Sequence, residues 1–549
     1  MSIREGFQFL KGTGQGSAVV LGGHACTCFL RLGVILIVAA ALATSAGAQT
    51  PSRNTAQGPT RALISMLISQ NRLDEAEQRL WGILTRQPDR VWALDLMAEI
   101  RIRQKRTPEA EALFHRALTL APKDIQAHRG LGGLYRSLAK NSEAIESYSQ
   151  VVAIAPQDTA ANSALAALYQ EAGQYRESLA AADRITPGSR APDLLPILAA
   201  DYFGTGEPAK VPPLIGSVMR RAGSSPKILY EFVTVLVRNG YVDDAAHLVD
   251  AVKPAQPSAD YLHTLARVRA AQKQPQEALG LLDRARKLQP SSFDLFFDSA
   301  QMAAQLSRWD DMIALLRHAD QIEPDRNEVL QKLSLALLKT GRRAQAVAMA
   351  RRLNSVQPDN ADNEYILALT LIENDMAEEA EPIARKLAAA QPNDAKDYLL
   401  LATAEFKRGD LTDAKQNLQR CLTLDPHSAE AHYYSGLILR QEGNIEAAQS
   451  ELEVAVSANP ENAAAQAELG TLYLQTGKLD EARAVLEQAT KVAPRVSQYH
   501  YHLALAYTRL GLQDPARVEM DNYERLRQAE DEEHKRRTSA SQPPAAAQP

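Results

Sequence analysis

The residue types that could carry chemistry are few, and their spacing does not suit it. His500 and His502 flank Tyr501; two places apart on a helix they point to different sides, whereas a metal-holding pair stands four apart on one face. The chain has three cysteines, too few for a disulfide framework. Cys26 and Cys28 precede a processing point, and Cys421 reads as a small buried hydrophobe. Lys11 to Gly16 carries glycines at 12, 14 and 16, but it lacks both the Gly-Lys-Ser/Thr ending and the preceding strand of a phosphate loop. The chain also lacks a His-Glu-x-x-His helix, a nucleophile elbow and a dinucleotide fingerprint after a strand. The sequence therefore predicts a non-enzymatic protein with no metal and no cofactor.

What recurs instead is aromatic. Tyr230, Phe297, Tyr365, Tyr433 and Tyr501 are separated by 67, 68, 68 and 68 residues, and His263, Gln331, Leu399 and Ala467 stand between them. In a chain only 5% aromatic, rings so regularly placed suit either of two tasks. They can anchor a bound partner, or they can pack between neighbouring helices and trim the core. The alternation also points to a double-length unit.

The elements that must position these rings show in the prolines. Pro290, Pro324, Pro358, Pro392, Pro426, Pro460 and Pro494 fall every 34 residues, and Pro88, Pro122 and Pro156 keep the same interval. A fixed period of that length means one supersecondary unit copied many times, each copy too small to bury its own apolar face and so stacked on its neighbours. In one copy a first helix runs from about Ala463 to Gln475 and Gly477 stops it. A second helix from Leu479 ends before Pro494. With the closing proline counted as 32, position 8 is small in most copies and includes Gly132, Gly436 and Gly470. Position 20 includes Ala414, Ala448 and Ala482. Small residues at both places let the paired helices approach closely.

This pattern closely resembles the tetratricopeptide (TPR) repeat family: small residues at 8, 20 and 27, large apolar residues at 4, 7, 11 and 24, and proline at 32, over about Gln57 to Gln528. The resemblance implies an all-α fold, a right-handed α-solenoid superhelix of about fourteen helix-turn-helix units. It implies too that the first helices line a concave groove, which positions 2, 5, 9, 12 and 13 face. The aromatic row stands at position 5. The carboxylate clamp found in some family members is missing, since Arg129 at position 5 is followed by Gly133 at position 9.

Leu32 to Ala43 is an apolar run between Arg31 and Ala46-Gly47-Ala48, which has the form of a secretory signal and is short for a membrane span. Residues 1–48 are expected to be a cleaved signal or an uncleaved anchor, 49–56 a linker, 57–528 the solenoid and 529–549 a polar helix end with a disordered tail. Between about 187 and 257 the period loses two residues, and Pro212 and Pro213 fall where a second helix should run; a hinge and an irregular but continuous array are the two readings. The near balance of 61 basic and 66 acidic side chains argues against a nucleic-acid partner. The expected role is an exported scaffold, periplasmic or secreted or held at the inner membrane by its N-terminal segment, that grips a protein or peptide in the groove. Two alternatives stay open: an accessory factor for envelope polysaccharide or protein secretion and assembly, and a regulatory arm of an enzyme acting in trans.

Overall fold

The computed structural model describes residues 57–222 and 225–540; the expected signal or anchor, the linker and the end of the tail lie outside the described residues. Among the described residues there are 28 α-helices, two short 3-10 turns and no strand. The α-helices follow one another as fourteen hairpins, an all-α solenoid arrangement. Two compact units divide them, one over 57–289 and one over 290–540.

The same local chemistry builds several of the hairpins. In these, a short polar residue two places after a closing proline caps the first helix. Asp124 accepts from the Gln126 and Ala127 amides, Asp158 from Ala161, Asn360 from Asn363, Ser428 from Ala431 and Asn462 from Ala465. A cap of this kind satisfies amides that a helix start leaves orphaned and is worth about 1 kcal/mol. A side chain at position 4 then reaches back to the carbonyl of the preceding proline. Asn162 Nδ2 donates to Pro156 O at 2.9 Å and Gln466 Nε2 to Pro460 O at 2.7 Å. His128, His432 and His500 bring Nε2 within 3.0, 3.1 and 3.1 Å of the carbonyls of Pro122, Pro426 and Pro494. The rigid proline and this tether fix where each new hairpin begins. His500 Nδ1 also meets Glu519 Oε2 at 2.5 Å, so both of its ring nitrogens are engaged.

The turn inside every hairpin passes through left-handed backbone. Positive φ occurs at Asn71, Lys105, Ala139, Lys273, Ser307 and Asp375, and at Gly173, Gly206, Gly240, Gly341, Gly409, Gly443, Gly477 and Gly511. These corners stand 34 residues apart except at 173 to 206 and 240 to 273, which are 33. The two residues missing from the period are thus lost between one corner and the next, in stretches where the second helices Tyr175–Asp183 and Val242–Ala251 run 9 and 10 residues against 14 in Asn141–Ile154.

Packing inside the hairpin rests on the small residues. Positions 8 and 20 are buried in all fourteen copies, from Ile64 and Ala76 at one end to Ala504 and Ala516 at the other. At Gly470 a Cβ would stand 2.5 Å from Leu486 Cγ, at Gly436 it would stand 2.7 Å from Leu452 Cγ, and at Gly132 it would meet the Tyr148 ring at 2.9 Å. The backbone approach there leaves no room for a methyl group. Cys421 is buried in one cluster with Ala402, Leu418 and Leu437.

Within the unit over 57–289 the irregular stretch is helical and packed. Pro212 and Pro213 do not interrupt a second helix, contrary to expectation; they open it, the helix running Pro212–Ala222. Proline lacks only an amide hydrogen that the first turn leaves unbonded anyway. Ser178 joins this stretch to the fourth hairpin, its hydroxyl lying 2.5 Å from Asp201 Oδ2 and 2.8 Å from Ala166 O. Phe203 meets Tyr241 with ring centroids 4.9 Å apart. In the unit over 290–540 the last helix, Gln513–Ala540, covers the final hairpin with Ala516 and ties back to Ser497 through Glu530 Oε2 at 2.8 Å.

Two glycine substitutions separate packing from propensity. Gly280 sits in Pro275–Leu288 with nothing within 4 Å of a built Cβ, so Gly280→Ala should stabilise by about 0.5–1 kcal/mol. Gly470→Ala should destabilise by about 1–3 kcal/mol through overpacking. Urea unfolding followed by circular dichroism should move the two variants to opposite sides of the parent chain.

Candidate partner-binding face

First helices of successive hairpins lie side by side, because side chains on one reach the next. Arg129 pairs with Asp158, Gln331 Nε2 donates to Asn363 Oδ1 at 2.9 Å, and Arg440 pairs with Glu468. The position-5 residues stand on this layer. Tyr230 OH lies 3.4 Å from the Ser258 hydroxyl that caps the next first helix. Phe297 stacks on Phe293 at 5.6 Å and carries the Lys332 ammonium over its face at 5.8 Å. Tyr365 packs against the core of its unit, and Tyr433 touches two neighbouring core clusters and meets Tyr434 edge-on at 5.2 Å. Tyr501 is 36% exposed and faces Tyr523 of the last helix at 5.3 Å. All but Tyr501 are partly buried, so the rings pack against neighbours and still present an edge outward.

Several polar groups on the same layer were not singled out by sequence reasoning. Burial, then the negative charge of Glu468, pushes the Tyr433 hydroxyl up to about 12, and burial raises the Tyr499 hydroxyl in the same way. Burial also raises the Glu468 carboxyl against the pull of Arg440. The Lys332 ammonium is held below its usual range by burial, against the pull of Glu328. Asp95, at position 5 of the second hairpin, is 7% exposed and neither carboxylate oxygen has a hydrogen-bond partner. Its position in the column was the available signal, but a search for aromatic side chains passes over it. His502, two places from His500, is held below the usual imidazole range by burial. Among the described residues no cluster of three or more potential ligands could hold a metal ion. None of their helices is long and apolar enough to cross a membrane.

Tetratricopeptide repeat models match residues 67–134, 126–158, 399–463 and 439–506, and a bacterial transcriptional activator domain model matches 264–360. No curated protein matches the chain. Solved structures similar to it include the APC/C hetero-tetramer Cut9–Hcn1, at 12% identity over 85% of this chain and 93% of that chain with a TM-score of 0.43. TTC0263, a thermophilic TPR protein in Thermus thermophilus, is 24% identical over 33% of this chain and 100% of its own, with a TM-score of 0.31. YrrB, a TPR protein with an unusual peptide-binding site, is 17% identical over 36% of this chain and 97% of its own, with a TM-score of 0.28. The paired helices with small residues at their contacts define a helical-repeat protein. More narrowly, the chain belongs to the tetratricopeptide repeat family.

Burial pushes Asp95 up to about 7, helped by Asp124 and opposed by Arg61. It pushes Asp201 up to about 6 against its Ser178 hydrogen bond, and Asp397 up to about 6 with Asp394 and Asp362 adding and Lys396 opposing. An unfolded aspartate titrates near 4, so folding takes up protons between that value and the raised one. The stability these neutral acids contribute is full below about pH 4 and is lost as pH rises through 6 to 7. Asp201→Asn and Asp397→Asn should therefore raise the melting temperature relative to the parent at pH 8 and lose that advantage at pH 4.5. Thermal melts at the two pH values check this.

Proposed function

We propose that this protein is a non-enzymatic scaffold whose layer of first helices holds an extended peptide or a segment of a partner protein in the cell envelope. One observation carries the reading. Among the described residues the hydroxyls of Tyr433, Tyr499 and Tyr501 make no hydrogen bond, and the ring of Tyr433 is held by Tyr434 and the adjoining core while that of Tyr501 is held by Tyr523. Fixed aromatic rings with spare hydrogen-bonding capacity suit a bound chain, because the rings lose little entropy on contact and the hydroxyls can meet its peptide groups. The apolar run from Leu32 to Ala43 supports export, and an exported scaffold would serve the secretion or assembly of envelope material.

A photo-crosslinking residue placed at Tyr501 should capture defined partner segments in envelope fractions, identified by mass spectrometry, while the same residue at Glu446 on a second helix should not. Combining Tyr365→Ala, Tyr433→Ala and Tyr501→Ala should reduce capture about tenfold or more with helical content retained. Equal capture from both positions, or loss of the fold in the triple variant, would count against the reading.

A further inference from the structure

Asp95 is the sharpest unexplained feature of the first-helix layer. Its side chain is more than nine-tenths removed from solvent, yet both carboxylate oxygens lack a hydrogen-bond partner. A buried polar group normally finds a partner, and leaving one unpaired is costly, more so when it is charged. Neighbouring groups do not supply one. Asp124 lies on the next cap and is itself acidic, and its Oδ1 is taken by the Gln126 and Ala127 amides. Arg129, at position 5 of the following hairpin, is paired with Asp158.

The surroundings state which chemistry would fit. Trp92 stands three residues before Asp95, on the same side of the helix Val91–Arg103. The guanidinium of Arg61, at position 5 of the first hairpin, lies over the Trp92 ring at 6.0 Å. A planar cation is therefore already drawn to this ring, and its charge reaches Asp95, but it makes no hydrogen bond there. Arg61 is exposed, so a second guanidinium can displace it. Both Asp95 oxygens are closed to solvent, so an arriving arginine would stack on Trp92, turn the Asp95 side chain toward its N–H groups and draw it into the ionised form, the two contacts to which a guanidinium is shaped.

We propose that Trp92 and Asp95 form a subsite for a basic side chain, arginine above all, of the segment held along the first helices of the unit over 57–289. This rests on the peptide-binding reading and adds the chemical class that one part of the layer selects. The bidentate pairing would satisfy both orphaned oxygens at once.

The test uses the full chain with Trp81→Phe and Trp309→Phe, which leaves Trp92 as its single tryptophan. Its fluorescence is titrated with acetyl-Gly-Ser-Gly-Arg-Gly-Ser-Gly-amide and with the same peptide carrying citrulline, which keeps the shape of arginine and removes the charge. Saturable quenching by the arginine peptide, about tenfold weaker with citrulline and about tenfold weaker again in Asp95→Asn, is the expected result. Equal responses to the two peptides overturn the proposal, and that comparison needs no variant at Asp95. An unchanged arginine response in a folded Asp95→Asn chain overturns it as well. Crosslinking at Tyr501, in the other unit, reports separately on the broader reading. Crosslinks there without arginine selectivity at Trp92 refute the subsite alone, and failure of both refutes the two together.

Discussion

How near two helices can come is the constraint from which the rest of this protein follows. At positions 8 and 20 the paired backbones in most copies leave space for a hydrogen or a methyl group and little more, Ile64, Val211, Val233 and Met312 being the larger exceptions, and the side chain at position 24 fills what remains. The volumes are traded within a hairpin. Gly436 and Gly470 face Leu452 and Leu486, Gly132 faces Tyr148, and Ser334 and Ala368 share their hairpins with Ala350 and Ala384. Interiors tolerate such exchanges when total volume is kept. Position 5 lies at the edge of the core and varies both in type and in burial, from Leu399 at 2% exposure to Tyr501 at 36%.

Between hairpins, ion pairs add to the apolar packing. Arg352 joins Asp320 and Asp325 of the preceding copy, Arg101 lies between Glu77 and Glu109, and Lys415 reaches Glu442 of the following one. The exposed pairs among these contribute about 0–1 kcal/mol each, whereas Arg101 is buried and held between its two glutamates. Against this background of satisfied charge the buried acids stand out, since Asp95, Asp201 and Asp397 each leave at least one carboxylate oxygen unpaired.

Much of this architecture was legible in the chain itself. The proline interval, the small residues at positions 8 and 20 and the glycine at Gly477 were enough to give the hairpin and its number of copies. The helix caps at Asp124, Asp158 and Asn462, and the tether from position 4 to the proline carbonyl, were not read, because a single polar residue gains meaning only once its partner's register is known. The corners at Lys105, Ala139 and Ser307 were hidden for another reason: stacking imposes left-handed backbone there on residues that do not favour it by themselves. Pro212 and Pro213 misled because proline either breaks or begins a helix, and the sequence does not say where the helix starts. Of the candidate face, the aromatic row was visible as a spacing, while Asp95, Lys332 and Glu468 required a view of which side chains end up beside one another.

The left-handed corner has a consequence for how such a chain can change length. Every copy turns through the same backbone conformation at the same place, and the two departures from the period fall between one corner and the next, where the second helices are short. The corner therefore acts as a fixed joint and the stretch that follows it as the adjustable part. Gene duplication or loss that adds or removes a whole copy preserves every joint, whereas a single-residue insertion within a copy would rotate all that follows it by about 100° around the helix axis. A protein of this construction grows and shrinks in modules, and its reach can be retuned without redesigning any single contact.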